Sequence, residues 1–251
     1  MSFSDPTTIA RLYDATHEGV EGDLDHYRAE CPPEATVLEL ATGTGRILQA
    51  LIGRDTLVGI DIDEDRLAIA RERCGDHAEL ICADMQSFRD DRRFDRILLV
   101  FNGLYCLPDR EALRQTFDTI ARHLRPGGRF LCDVYDTAPL DQDALEVGPG
   151  PHRDPAEKIG DLTLDDRTFE VFEENHWFPS ERRLEAYFTY VSGPVAEPLV
   201  LQVTHHYHRL DEIIAVAREK GLDLIDHRRG FTDDDPDGPH LLTFTAALIS
   251  K

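Results

Sequence analysis

Short apolar runs alternate with helical segments through the first half of the chain, and this alternation limits the possible fold more than any other feature. Five runs have the length and composition of buried strands: 36–40, 57–60, 79–82, 94–101 and 129–135. Segments with one apolar face lie between most of them and are predicted helices: 45–52, 63–74 and 110–124. Strands and helices that alternate at this spacing form a parallel sheet with helices on both faces. We therefore predict an α/β fold.

The alternation of strands and helices ends after residue 136. Residues 137–155 are rich in Pro, Gly and Asp and are predicted to form a long loop, and strand-like runs without intervening helices follow over 161–208. In one of these runs apolar and polar residues alternate with a period of two, which is typical of a half-exposed antiparallel strand. The last part returns to the first pattern, with a helix that ends at Gly221, strands at 222–227 and 241–249, and an acidic loop at 233–238 between them. We expect an N-terminal helical lid, an α/β core and an antiparallel insert, with these ranges: 1–35 for the lid, 36–136 and 209–251 for the core, and 137–208 for the loop and insert.

Charge excludes several classes of protein. The 251 residues contain 27 Lys plus Arg and 49 Asp plus Glu, a formal net charge of −22. Such a chain repels phosphate backbones and anionic membranes, so we expect no nucleic-acid or membrane partner. There is no apolar run of about 18 residues, and the first residues do not resemble a secretory signal. The expected location is the cytoplasm, where an odd set of five cysteines without a C-x-x-C spacing remains reduced and binds no metal.

A glycine-rich turn follows the first predicted strand. Val37–Arg46 reads V-L-E-L-A-T-G-T-G-R, so Gly43 and Gly45 stand between a strand and a helix, where the backbone can approach a ligand closely. Glycines that only form a tight turn remain an alternative. A dinucleotide site needs a third glycine where this chain has Leu48, and no lysine follows as in a nucleoside-triphosphate loop. Glu39, at the end of the strand, would repel a pyrophosphate but tolerates a cationic group.

Acidic residues follow the second and third strands at positions that suit a nucleoside. Asp61 ends the second strand, where a carboxylate can accept hydrogen bonds from both ribose hydroxyls. Asp84 and Met85 follow the third strand; the first can accept from an adenine amino group and the second can pack on the ring. The carboxyl ends of parallel strands share one sheet edge, so these residues are predicted to converge.

In this combination of motifs the chain resembles the Rossmann-like, class I S-adenosylmethionine-dependent methyltransferases. The resemblance rests on Glu39–Gly45, Asp61, Ala83–Met85 and Leu124–Gly128, and the first glycine of the usual motif is replaced by Ala41. It implies a seven-stranded, mostly parallel sheet and S-adenosylmethionine as cofactor. The cofactor-binding residues that it implies are Glu39, Ala41, Gly43, Gly45, Asp61, Ile62, Asp84, Met85 and Phe101.

The arrangement is also similar to small-molecule members of that family, including glycine and sugar-amine N-methyltransferases, which carry an antiparallel insert and an N-terminal helical lid. This resemblance places Tyr13 in the lid, near the sulfonium. Asn102, after the fourth strand, is predicted to face the transferred methyl group, although it can equally cap the turn. His206 is a candidate general base; a surface position is the alternative, and a metal site would need a third ligand that the sequence does not indicate.

Methyl transfer to a small-molecule acceptor, an amine or a hydroxyl, is therefore the predicted function. A non-catalytic S-adenosylmethionine-binding regulatory protein is the main alternative, and a nicotinamide-dependent oxidoreductase is disfavoured by Leu48. The insert is predicted either to cover the ligand crevice and set substrate choice or to form the contact of a homodimer.

Overall fold

The computed structural model describes residues 6–193, 197–232, 235 and 237–246, which form two compact units. The core unit consists of Gly19–Asp136 and the chain from His208 onward. The insert unit consists of Thr137–Tyr207 and the chain up to Glu18.

The helices and strands follow one another in this order: α1 (Pro6–Thr16), α2 (Asp23–Glu30), β1 (Thr36–Leu40), α3 (Arg46–Ala50), β2 (Thr56–Asp61), α4 (Glu64–Cys74), β3 (Glu79–Cys82), β4 (Phe94–Leu99), α5 (Arg110–His123), β5 (Leu124–Val134), α6 (Ala138–Val147), β6 (His152–Arg153), β7 (Glu157–Leu164), β8 (Arg167–Phe178), β9 (Arg183–Val191), β10 (Leu199–His206), α7 (Leu210–Glu219), β11 (Leu222–Arg229) and β12 (His240–Ala246).

The core unit contains the predicted seven-stranded sheet, in the order β11-β12-β5-β4-β1-β2-β3. The first five strands of the chain pair in parallel, whereas β12 is antiparallel to both β5 and β11. Most residues of the central strands β1 and β4 are buried, as expected for strands covered by helices on both faces. The α/β fold class is thus confirmed, and the last two strands pair as an antiparallel hairpin.

Local signals set the helix boundaries. Asp63 caps α4, since its carboxylate accepts from the backbone N–H groups of Asp65 and Arg66, and Asp109 caps α5 in the same way through Ala112. The helix after the glycine turn is short, Arg46–Ala50 rather than the predicted 45–52.

The order of strands fixes where a ligand can bind. The chain runs from β1 to its neighbour β2 on one side, while β4 lies on the other side of β1. In an open α/β sheet, the ligand crevice lies outside the carboxyl ends of the strands where the order reverses. The carboxyl ends of β1 and β4 are therefore the expected position of the crevice.

The insert unit is a five-stranded antiparallel sheet with a helix packed on it. The order is β10-β9-β8-β6, and β7 also pairs with β8. Leu12 of α1 is buried in a cluster with side chains from the sheet: Phe169, Val171, Phe188, Tyr190, Leu199 and Leu201. The period-two pattern in β9 is consistent with one buried sheet face, because Phe188 and Tyr190 are the buried residues of that strand.

Several sequence-based expectations are corrected. The predicted loop over 137–155 contains α6 and β6, because Pro139 occupies the first turn of a helix and Gly148 follows its last residue. β4 ends at Leu99, and Phe101 is left-handed with φ 53°. The predicted acidic loop at 233–238 lies partly outside the described residues, and the predicted strand residues after 246 lie wholly outside them.

Two further differences concern the boundaries of the units. β10 ends at His206, before the end of the predicted strand-like region at 208. His208 belongs to the core unit, where its Nε2 lies 3.2 Å from the carbonyl oxygen of Leu107. The predicted lid segment is divided, because α1 belongs to the insert unit and α2 to the core unit. Burial of Tyr27 explains the placement of α2. In the part of the chain that the structure describes, no helix is long and apolar enough to cross a membrane.

Candidate active site

The glycine turn after β1 has one crowded and one open position. Gly45 has φ 78°, and a Cβ there would lie 2.9 Å from the Cβ of Ala70, so this glycine lets the turn pack against α4. Gly43 has φ 57°, and no atom lies within 4 Å of the place where its Cβ would be. The same turn holds Ala41 at φ 53°, a conformation that costs a non-glycine residue roughly 1 kcal/mol or more. The backbone at Gly43 is therefore open to close approach.

Glu39 is a buried carboxyl group beneath this turn. Only 2% of the residue is exposed, and the hydroxyl of Thr42 donates to its Oε2 at 2.6 Å. Burial raises the pKa of Glu39 to about 7, although the Thr42 hydrogen bond and the nearby Arg46 guanidinium act in the opposite direction. The group thus titrates near neutral pH.

Asp61 connects the end of β2 to the glycine turn. Its Oδ2 accepts from the backbone N–H of Gly43 at 2.7 Å, and its Oδ1 accepts from that of Asp63 at 2.9 Å. Each carboxylate oxygen can accept a further hydrogen bond. The next side chain, Ile62, is 74% exposed, which leaves an apolar surface beside this carboxylate.

Asp84 and Met85 lie in the turn after β3, which pairs with β2. The Oδ1 of Asp84 accepts from the backbone N–H of Gln86 at 2.8 Å, so this side chain caps its own turn. Both residues are partly exposed. Ala83 donates its backbone N–H to the carbonyl oxygen of Asp61, which brings the two acidic turns together.

Arg46 is a residue that the sequence interpretation missed. Its Nη2 donates to the buried carboxylate of Asp23 at 2.7 Å, and its guanidinium carbon lies 5.6 Å from the ring centroid of Phe101. Its Nη1 is buried and makes no hydrogen bond to any described residue. A signal was present, since a cation in the first turn of a helix opposes the helix dipole and needs another reason to be there.

The turn after β4 contains two predicted site residues in the left-handed conformation. Phe101 has φ 53° and Asn102 has φ 62°. The Oδ1 of Asn102 accepts from the backbone N–H of Tyr135 at 2.8 Å, so its side chain closes this turn onto the end of β5. A role of Asn102 toward the methyl group stays a prediction.

The remaining candidates, Tyr13 and His206, belong to the insert unit. The ring of Tyr13 stacks on that of His17, with centroids 4.1 Å apart. In the β9–β10 register, His205 is opposite Leu184 and His206 is opposite Arg183. His205 therefore shares the sheet face of Leu201, on which α1 packs, whereas His206 lies on the other face. Burial, together with the neighbouring His17 and His206, lowers the pKa of His205 to about 4.

The core unit thus brings together features that suit a particular kind of ligand. Gly43 offers open backbone, Asp61 and Asp84 offer carboxylate oxygens for hydroxyl or amino groups, and Arg46 offers an unsatisfied N–H donor for a carboxylate. A nucleoside joined to an amino acid carries all of these complementary groups.

Comparisons with known proteins agree with this geometry. Residues 37–128 match the family described as a methyltransferase domain. The chain is 35% identical over 113 residues to the dTDP-3-amino-3,4,6-trideoxy-alpha-D-glucopyranose N,N-dimethyltransferase of Streptomyces venezuelae, a match that covers 44% of this chain and 47% of that protein. It is 31% identical over 186 residues to a ubiquinone/menaquinone biosynthesis C-methyltransferase of Methylobacterium nodulans, covering 64% of this chain and 69% of that protein. The chain spans about half the length of the first curated relatives that it matches.

Solved structures extend the likeness in fold over almost the whole chain. An S-adenosylmethionine-bound amino pentose methyltransferase of Micromonospora echinaspora, which acts in calicheamicin biosynthesis, superposes with a TM-score of 0.70. The identity is 19%, and the match covers 94% of this chain and 97% of that one. At this identity the comparison establishes the fold.

Proposed function

Because the chain belongs to the class I S-adenosylmethionine-dependent methyltransferases, we propose that it transfers a methyl group to the amino group of a small molecule of the amino-sugar class. The observation that carries the choice of an amine is the 35% identity to a relative named for the dimethylation of an amino sugar. The fold shared with an amino pentose methyltransferase supports the same choice.

S-adenosylmethionine is the cofactor of this family, and the core unit contains groups that fit it. We assign the ribose hydroxyls to Asp61, the adenine to the surface formed by Ile62, Asp84 and Met85, and the amino-acid carboxylate to the Nη1 of Arg46. The open position at Gly43 accommodates the close approach of such a ligand. Glu39, Ala41, Gly45 and Phe101 shape the turns on which these groups are held.

When bound, this cofactor supplies a methyl group already activated by a sulfonium. The chain is therefore needed to align the acceptor with the methyl group, to exclude water and to accept the proton that the acceptor loses. A net charge of −22 favours the approach of a cationic ammonium group. An ammonium group has no lone pair with which to accept the methyl, so an amine acceptor must first lose a proton.

Two histidines of β10 are candidates for receiving that proton. His206 is the residue that the sequence singles out. His205 shares a sheet face with the residues on which α1 packs, and it is neutral at pH 7 because burial lowers its pKa to about 4. We propose His206 as the base, and His205→Gln is the variant with which a His206 variant is compared. Tyr13→Phe tests the separate proposal that Tyr13 lies near the sulfonium.

The proposal is tested by incubating the protein with S-adenosylmethionine and matched pairs of acceptors, each an amino sugar and the same sugar with a hydroxyl in place of the amine. Mass spectrometry of the products is expected to show methylation of the amine alone. Methylation of the hydroxyl partner, or of a carbon acceptor such as a demethylated quinone ring, would contradict the amine assignment. Cofactor binding without turnover on any acceptor would favour the regulatory alternative.

A further inference from the structure

A buried carboxylate holds the turn after β4 in its left-handed conformation. Asp133, next to the last residue of β5, is 4% exposed. Its Oδ1 accepts from the backbone N–H of Phe101 at 2.8 Å, and its Oδ2 accepts from that of Asn102 at 3.3 Å. One side chain therefore satisfies two consecutive N–H groups, which become available together because both residues turn away from the strand conformation.

A tyrosine from a different helix fixes this carboxylate. The hydroxyl of Tyr27, in α2, donates to the Oδ1 of Asp133 at 2.6 Å, and the residue is 2% exposed. Burial, with the adjacent Asp133 carboxyl group, raises the pKa of Tyr27 well above its usual value, so the hydroxyl keeps its proton and acts as the donor. The orientation of the Asp133 carboxylate is thus determined from three directions.

The conformation held in this way is costly. The left-handed region is unfavourable for a phenylalanine, and such positions persist only where the surroundings impose them. Strained backbone of this kind is often found at ligand sites. Here it lies at the carboxyl end of β4, beside β1, where an open α/β sheet binds its ligand.

Phe101 also connects this turn to Arg46, the cation that we assign to the carboxylate of the cofactor. The guanidinium of Arg46 lies over its ring, with 5.6 Å between the guanidinium carbon and the ring centroid. Of the two terminal nitrogens of that guanidinium, Nη2 donates to Asp23, and Nη1 makes no hydrogen bond to any described residue. A turn that relaxes to an ordinary strand conformation would move the ring and remove this support from Arg46.

We propose that Asp133, oriented by Tyr27, is a positioning residue for cofactor binding: it imposes the left-handed Phe101–Asn102 turn and thereby places the Phe101 ring against Arg46. Asp133 need not touch the cofactor. The inference rests on the proposed function in taking S-adenosylmethionine as the ligand and in assigning its carboxylate to Arg46.

The test compares cofactor affinity in three isosteric variants. Asp133→Asn turns one acceptor oxygen into a donor that faces a backbone N–H, so the turn loses at least one of its two hydrogen bonds. Tyr27→Phe removes only the orienting hydroxyl. Asp95→Asn is the matched control, because Asp95 accepts from the backbone N–H and hydroxyl of Thr36 and from Arg125, but at the amino end of β4.

Isothermal titration with S-adenosylmethionine is expected to give a Kd about tenfold higher for Asp133→Asn and about threefold higher for Tyr27→Phe than for the unmodified protein. The Kd of Asp95→Asn is expected to remain within about twofold. Circular dichroism at the titration temperature establishes that each variant is folded. Tyr27→Phe decides the question if Asp133→Asn does not fold.

A purely structural role for Asp133 would lower the Tm of the variants and leave the Kd unchanged, and that result would overturn the inference. Failure of the unmodified protein to bind S-adenosylmethionine is a different outcome, because it contradicts the proposed function itself. The two failures are distinguished by the first titration.

Discussion

Replacement of Glu39 by Gln should change how the stability of the protein depends on pH. Glutamine has the shape of a protonated glutamic acid, can accept from the Thr42 hydroxyl as Glu39 does, and cannot ionise. Glu39 is fully buried, and this burial raises its pKa from 4.5 to about 7 in the folded chain. In the unfolded chain the same group titrates at about 4.3.

The sign of the effect follows from these two pKa values. Between about pH 4.5 and 7 the folded state holds a proton that the unfolded state has lost, so Glu39 lowers the free energy of unfolding as the pH rises through this range, and its contribution is constant above it. Each pKa unit corresponds to about 1.4 kcal/mol, so the total is on the order of 3 kcal/mol. The stability of Glu39→Gln relative to the unmodified protein should therefore rise by about this amount as the pH is raised, whereas the replaced oxygen, since Glu39 also accepts from the backbone N–H of Leu48, changes the difference only by a constant.

Urea unfolding across about pH 4 to 8 measures this difference directly. Titratable groups shared by both proteins, including Asp133 with its raised pKa, cancel in the comparison. Glu64→Gln is a control of opposite sign, since its exposed carboxylate has a pKa lowered by Arg71 and its removal can only reduce stability as the pH rises. A difference between Glu39→Gln and the unmodified protein that does not vary with pH would refute the reasoning.

Three further substitutions test the turns of the site. Ala41→Gly should raise the free energy of unfolding by about 1 kcal/mol in urea denaturation, because φ 53° costs glycine nothing; a loss of stability would contradict this. Gly45→Ala should lower it by roughly 2 kcal/mol, since the new Cβ meets Ala70 at 2.9 Å and φ is 78°; an unchanged urea midpoint would show that α3 and α4 can separate freely. Asp61→Ala should weaken S-adenosylmethionine binding at least tenfold in calorimetry, with circular dichroism to verify the fold, and an unchanged Kd would remove Asp61 from the cofactor site.

The architecture of the core unit could be predicted because its signals are local. The limits of β1 and β3 follow directly from apolar runs bounded by turn residues, and the cap of α4 follows from Asp63 before two further acidic residues. α6 was missed for a local reason too. Pro139 and Gly148 fit a loop by composition, although each stands at an end of a helix where these residues are favoured.

The supporting contacts of the site could not be predicted because they join distant parts of the chain. Tyr27 and Asp133 are 106 residues apart, and neither periodicity nor spacing indicates that a tyrosine of α2 meets a carboxylate of β5. Arg46 follows the glycine motif directly, yet its pairing with Asp23 depends on how α2 packs. The motif residues themselves stay predictions as cofactor ligands.

Equilibrium titration of the protein with S-adenosylmethionine, with NAD in a parallel titration, tests the central claim most directly. The groups at the carboxyl ends of β1, β2 and β3 predict one saturable site for S-adenosylmethionine and no heat of binding for NAD, since Leu48 packs where a dinucleotide site requires glycine. Saturable binding of NAD without binding of S-adenosylmethionine would contradict the account.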